Sequence, residues 1–255
     1  MSMQDDNPFK APSARVSDFN PGSSAGTLDL DGIRQPAGAG VDWIKGGWAL
    51  FKQAPGPWIG IFLVFMVIVI VLSLIPVVSL VVNLLMPVFM GGMMLGCKAQ
   101  EDGEALTVGH LFAGFQKNAG SLVVVGLLYL AGVLVIGLVF GVGIAMTMGF
   151  SNGGFNPMII VLGLLAGLCI VPLVMAFWFA TPLVAIHNVP ALAAMKASFF
   201  ASLRNWLPLL VYGLVAMLVV IVAMIPLGLG LLVASPALYA SMYVAYKSMF
   251  LRNDA

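Results

Sequence analysis

Charge is what this sequence has least of. Only 8% of its 255 residues are Asp, Glu, Lys or Arg, against 61% hydrophobic ones, whereas a soluble globular domain carries roughly a quarter charged residues. That shortage excludes a soluble domain, and the long apolar runs it leaves read as transmembrane helices. A net charge of +1 without any basic patch excludes nucleic acid as a partner. Histidine is scarce as well: His110 and His187 are the only two, and nothing in the chain has metal-ligand spacing. With no converging titratable groups, no catalytic residue, metal or cofactor is expected, and the chain reads as a non-enzyme. The two cysteines, Cys97 and Cys169, fall at different predicted depths and are not expected to pair. The start, MSMQDDNPFK, lacks the basic head and apolar core of a cleavable signal peptide.

What is present is a repeated alternation of short amphipathic segments and long apolar ones. Residues 1–40 are rich in Pro, Gly, Ser, Ala and Asp with no hydrophobic period, and read as a disordered cytoplasmic tail. From Val41 a stripe of Val41, Ile44, Trp48 and Phe51 forms one helical face, with Lys45 and Lys52 on another. This is the pattern of a helix in the membrane interface, with Trp43 and Trp48 at headgroup level and the lysines in water. Pro55-Gly56-Pro57 then breaks it. A second such segment carries Val108, Leu111, Phe112 and Phe115 on one face and His110 and Lys117 on another. A third, introduced by Asn188 and Pro190, carries Leu192, Met195, Phe199 and Leu203, with Lys196 and Arg204 toward water.

Six spans are expected, at about 58–75, 77–97, 121–150, 158–186, 206–225 and 227–246, with turns at Pro76, across 151–157 and at Pro226. Each is long enough to cross about 30 Å of hydrocarbon, and Pro172 and Pro182 are candidate kinks in the fourth. With these spans drawn, all eleven Lys and Arg fall on one side, as do all ten acidic residues. The positive-inside rule makes that side cytoplasmic and puts both termini there. The fold class is therefore an all-α polytopic membrane protein: six transmembrane helices in three hairpins, each preceded by an amphipathic interfacial helix. The membrane domain covers residues 41–250, and 251–255 form a short tail.

The unit repeats. The second arm of each hairpin holds a proline (Pro87, Pro182, Pro236), and Phe51 to Pro87 matches Phe200 to Pro236 at 36 residues. Small-residue spacings at Gly92/Gly96, Gly137/Gly141 and Gly163/Gly167 favour close helix contacts. No charged residue lies within a span, so a proton-driven pump is disfavoured. The intramembrane polar residues are Ser73, Ser79, Asn83, Thr147, Thr181 and Ser235, of which Asn83 and Thr181 are singled out as polar contacts.

The segments GGWALFKQAPGPWIG, LLMPVFMGGMMLGCKAQEDGE and LTVGHLFAGF resemble an uncharacterised family of proteobacterial integral inner-membrane proteins. The chain is also distantly similar to YciC-type proteins and to the membrane domain of some glycerophosphodiester phosphodiesterases. The resemblance implies a multi-span protein of the bacterial inner (cytoplasmic) membrane and carries over no site residue.

The leading functional reading is a protein that binds or organises membrane lipid, or a partner membrane protein, at the cytoplasmic leaflet. Trp43, Lys45, Trp48, Lys52, Lys117, Lys196 and Arg204 are its candidate headgroup contacts. Self-association is a further expectation for partners. The alternative is a transporter or flippase for an apolar or amphipathic molecule, with Asn83 and Thr181 as substrate contacts.

Overall fold

Backbone in hydrocarbon must satisfy its polar groups internally, and the uncharged runs accordingly fold as long helices. A computed structural model describes residues 26–150 and 156–252, the side chains of 76–80 and 150 excepted. The helices are α1 (Ala39–Gln53), α2 (Pro55–Ser73), α3 (Pro76–Glu101), α4 (Ala113–Gln116, after a 3-10 turn at Val108–Phe112) and α5 (Ala119–Phe150). They continue as α6 (Pro157–Trp178), α7 (Ala180–His187), α8 (Ala191–Arg204), α9 (Trp206–Met224) and α10 (Leu231–Phe250). Proline opens α2, α3 and α6, where its missing N–H costs nothing. The loop expected at 151–157 lies mostly outside the described residues, as does the Ser79 side chain.

Five helical stretches among the described residues are long and apolar enough to cross a membrane: Pro55–Ser73, Val81–Glu101, Ala119–Gly149, Pro157–His187 and Trp206–Met224. The sixth expected segment differs from the other five. Instead of resuming at Leu227, the chain turns through left-handed Leu227 and Gly228 and starts α10 at Leu231. α10 is enclosed by protein along much of its length, with Pro236, Ala240, Tyr243 and Tyr246 buried.

The fourth segment is broken rather than kinked. Pro182 has no N–H for the Trp178 carbonyl and its ring crowds that oxygen, so α6 ends at Trp178 and α7 begins at Ala180. Ser198 of α8 repairs the gap: its Oγ accepts from the Phe179 N–H (3.0 Å) and donates to the Met175 carbonyl (2.6 Å).

The amphipathic elements are present, but two of them present faces other than the apolar stripes in the sequence. α1 buries Ala39, Gly40, Trp43, Gly47 and Phe51, while Trp48 is exposed. α8 buries Ala191, Ala194, Met195, Ala197, Ser198, Ala201 and Ser202, and turns Leu192 and Leu203 outward. The second element is a 3-10 turn followed by one turn of α-helix, not a continuous helix. Small residues win the inner face because they let backbones approach, and large apolar ones lose nothing by facing lipid. At Gly47 a Cβ would overlap the backbone of Ser241 in α10, and at Gly114 one would overlap the Val88 carbonyl of α3.

The short elements repeat one relation. The 3-10 turn and α4 rest on the hairpin α2–α3, α8 rests on α5–α6–α7, and α1 rests on α9–α10. The 3-10 turn with α4, and α8, each lie on the hairpin that precedes them, and α1 lies on the last. Gly114 meets the backbone N of Gly92 and Gly47 that of Ser241, and these partners follow Pro87 and Pro236 by five residues each.

Within the tail expected to be disordered through residue 40, residues 26–38 form a strand and a strap that lies on α10. Thr27–Leu28 (β1) pairs antiparallel with Leu251–Arg252 (β2), a small departure from an all-helical chain. The following strap satisfies the open C-terminal carbonyls of α10: Asp29 N donates to Phe250 O (2.8 Å), Ile33 N to Met249 O (2.7 Å), and the Gln35 amide to Ser248 O. Residues 1–25 lie outside the described residues.

The Gly47 contact has a direct test. Gly47→Val is expected to lower the thermal transition of the detergent-purified protein by many degrees, whereas Gly137→Val, whose Cβ meets nothing within 4 Å, leaves it unchanged. Equal transitions for the two variants would remove the close α1–α10 seat from the account.

Candidate functional site

Helices end where polar residues begin, so the charged side chains collect where short elements and helix ends meet. Three groups of contacts join them. Glu101, at the end of α3, accepts from the Tyr243 hydroxyl (2.8 Å) and pairs with Lys247 of α10. Buried Gln100 accepts from the Trp58 indole (3.1 Å) and donates to the Leu50 carbonyl (2.6 Å), tying α2 and α3 to α1. Asn118 donates to the Val184 carbonyl (3.0 Å) and to Asn188, joining the start of α5 to the end of α7.

The strap is held from the other side by the α8–α9 junction. Asn205, fully buried there, accepts from Gln35 N (2.7 Å) and donates to Ile33 O (3.1 Å), a side-chain amide pairing like a strand. Arg204 donates to the Gly32 carbonyl (2.9 Å). Gly32 itself has φ +79° and lies so close to Ala201 that a Cβ would clash, so glycine is required twice over.

Two concavities flank the strap. One, of about 560 Å³, lies between Gln35, Leu50, Glu101, Tyr243, Lys247 and Arg252, and its charges are already spent: Lys247 on Glu101 and Arg252 on Asp29. The other, of about 630 Å³, is lined by Leu30, Asp31, Lys196, Phe200, Leu203 and Arg204, with Ala193 and Ala197 beneath. Among the described residues neither Lys196 nor Arg204 has an acidic partner within 4 Å. Leu192, Lys196, Phe200 and Arg204 are four apart, so they form one ridge on α8. Phe200 and Leu203 are about half exposed there. Two cations without a salt-bridge partner among the described residues thus stand beside half-exposed apolar side chains, which is chemistry for an anion that brings hydrocarbon with it.

The candidate headgroup residues do not all gather here. Lys196 and Arg204 share the second concavity. Lys45 pairs with Asp42 (3.5 Å) on the exposed side of α1, and Lys52 and Lys117 are exposed elsewhere. Trp48 is exposed and stacks on Phe51 (ring centroids 5.4 Å). Trp43 is a correction: at 2% exposure it packs on Tyr212 of α9 (6.0 Å) and faces protein, because the glycine face of α1 turns inward. The two intramembrane polar candidates differ from each other. Asn83 is exposed on α3, while Thr181 is fully buried in α7 with no hydrogen-bond partner for its hydroxyl among the described residues.

His110 caps its own turn, accepting from Thr107 N (3.1 Å) at Nδ1. Both cysteines are free, Cys97 buried and Cys169 exposed. Of the three small-residue pairs, Gly92 and Gly96 pack against the 108–112 turn, while a Cβ at Gly137, Gly141, Gly163 or Gly167 would have no neighbour within 4 Å among the described residues.

Sequence reading missed Asp31, Gly32 and Asn205. The first two lay inside a segment taken as structureless. Asn205 had a usable signal: it is a lone amide between a cation and an apolar run, where a buried helix junction needs one.

No family model and no solved structure matches the chain. A probable inner membrane protein of Burkholderia thailandensis is 28% identical over a gapped alignment of 252 positions that spans 86% of this chain and 93% of that one. The chain is thus similar to a probable inner membrane protein, and five of its described helical stretches are long and apolar enough to cross a membrane. The likeness to YciC-type proteins and to phosphodiesterase membrane domains gains nothing from these comparisons.

Asn205→Leu leaves the Gln35 N–H and Ile33 carbonyl without partners, a loss of about 1–3 kcal/mol. Amide hydrogen exchange across 29–35 is expected to speed up selectively. Unchanged protection would mean that Asn205 does not hold the strap.

Proposed function

We propose that this is a non-enzymatic protein with six spans, α10 completing the sixth, and both termini in the cytoplasm, whose charged end engages lipid headgroups of the inner leaflet. The one-sided distribution of all eleven cations supports the orientation. The single observation that carries the lipid reading is the α8 concavity, where Lys196 and Arg204 flank Phe200 and Leu203 with no carboxylate within 4 Å of either among the described residues. A free cation at that level gains about 1 kcal/mol from an anionic surface. Exposed apolar neighbours on the same ridge extend the contact to acyl chains, as on an interfacial helix. Trp48, Lys45, Lys52 and Lys117 add diffuse attraction from other parts of the same surface. Other membrane proteins, or a second copy, would meet the protein through its lipid-facing helices.

Two measurements test this. Lys196→Ala and Arg204→Ala are each expected to weaken association with anionic lipid by roughly fivefold, read by native mass spectrometry of the detergent-purified protein titrated with lipid. Lys45→Ala should do less, since that lysine already has Asp42. If all three variants bind like wild type, the α8 concavity is not the headgroup site. For orientation, a cysteine placed at Leu227, 97% exposed in its turn, should react with an impermeant maleimide from outside spheroplasts, and one at Lys52 should not. The reverse pattern would invert the topology.

A further inference from the structure

The α8 concavity contains a third charge that an anion site has no need of. Asp31 lines it beside Lys196 and Arg204, and its placement is built rather than incidental. Asp29 anchors the turn, with Oδ1 accepting from Asp31 N (3.0 Å), its carbonyl from Gly32 N (3.3 Å), and Oδ2 from Arg252 (2.8 Å). Gly32 then seats on Ala201, and its carbonyl takes the Arg204 guanidinium. The backbone at Asp31 is thereby held next to the residue that would hold a phosphate, with the Asp31 side chain exposed. Asp29 spends its carboxylate on Arg252 and on the turn. Asp31 has no cation within 4 Å among the described residues.

A lone carboxylate beside an anion site weakens binding of the anion alone, because like charges repel at close range. It becomes favourable when the ligand carries hydrogen-bond donors just past its phosphate, since a bond to a charged acceptor is among the stronger ones. Lys196 and Arg204 against Asp31 leave the concavity at +1, which one phosphodiester neutralises. A headgroup with two phosphates would overshoot, and a zwitterionic one would leave the site positive. We infer that the concavity selects a lipid of the phosphatidylglycerol type: the cations take a single phosphodiester, Asp31 accepts from the hydroxyls of the polyol head, and the chains lie along Leu192, Phe200 and Leu203. This deepens the headgroup reading and rests on it.

The test compares two lipids of equal charge. Detergent-purified protein is titrated with dioleoylphosphatidylglycerol and with dioleoylphosphatidylmethanol, which has the phosphodiester but no donor beyond it, and bound lipid is counted by native mass spectrometry. Wild type is expected to bind the glycerol lipid about tenfold more tightly, the worth of one charged hydrogen bond, and Asp31→Asn and Asp31→Ala to bind the two lipids alike. Dioleoylphosphatidylethanolamine should bind more weakly than the glycerol lipid; if it binds more tightly, an amine rather than a polyol is the recognised head and the assignment is overturned. Equal binding of the two anionic lipids by wild type also overturns it, while leaving the headgroup reading intact. That reading fails separately, if Lys196→Ala and Arg204→Ala change neither titration. Soluble glycerophosphoglycerol is the arm for a free ligand: competition at concentrations equal to the lipid would assign the concavity to a free phosphodiester and overturn the lipid assignment.

Discussion

Everything else in this fold depends on how closely its short helices can lie on its long ones. Inside a bilayer, burying a leucine between helices gains little, because the lipid it leaves is as apolar as the protein it enters. What remains is van der Waals fit and hydrogen bonding, and both need short distances. Gly47 against Ser241 and Gly114 against Val88 and Gly92 supply the fit. Ser198 supplies the bonding, filling the break that Pro182 opens between α6 and α7. Once the short elements are seated this way, their remaining faces point outward, and that is how Leu192, Lys196, Phe200 and Arg204 come to line a surface.

The same economy organises the charged end. Helix termini present unpaired carbonyls, and here the final turn of α10 is closed by a strap from the other end of the chain. The strap is gripped in turn by Asn205 and Arg204. One device therefore does two things: it finishes α10, and it carries Asp31 to the edge of the cationic concavity. The lipid reading draws on a surface that α8 supplies and the strap completes.

Legibility in the sequence followed the range of the interaction. The spans at 58–75, 121–150 and 206–225 were readable because a run without charge is decided locally, by the cost of placing each residue in hydrocarbon. A disturbance at Pro182 was readable as well, since a missing N–H is a local defect, though it was expected as a kink and is a break, and its repair by Ser198 left no sign. The apolar stripes misled. Periodicity locates large side chains and assumes that they face the core, but α1 and α8 bury their Gly, Ala and Ser residues. Trp43, expected at headgroup level, stands against Tyr212 on that inner face. The ordered strap was unreadable because low hydrophobicity there reflects backbone pairing with α10, which composition does not record.

By itself the sequence determined that this chain lives in a membrane, roughly where it crosses, and that its charge lies between particular spans. Those are properties of single segments meeting solvent or hydrocarbon, summed residue by residue. Only the tertiary structure decided which face of each short helix is hidden, that α10 is enclosed by protein along much of its length, and that Asp31 stands in one hollow with Lys196 and Arg204, some 165 residues further along the chain. Those outcomes depend on which backbones can come within contact of each other, and that is settled by the packing of distant segments, not by any segment alone.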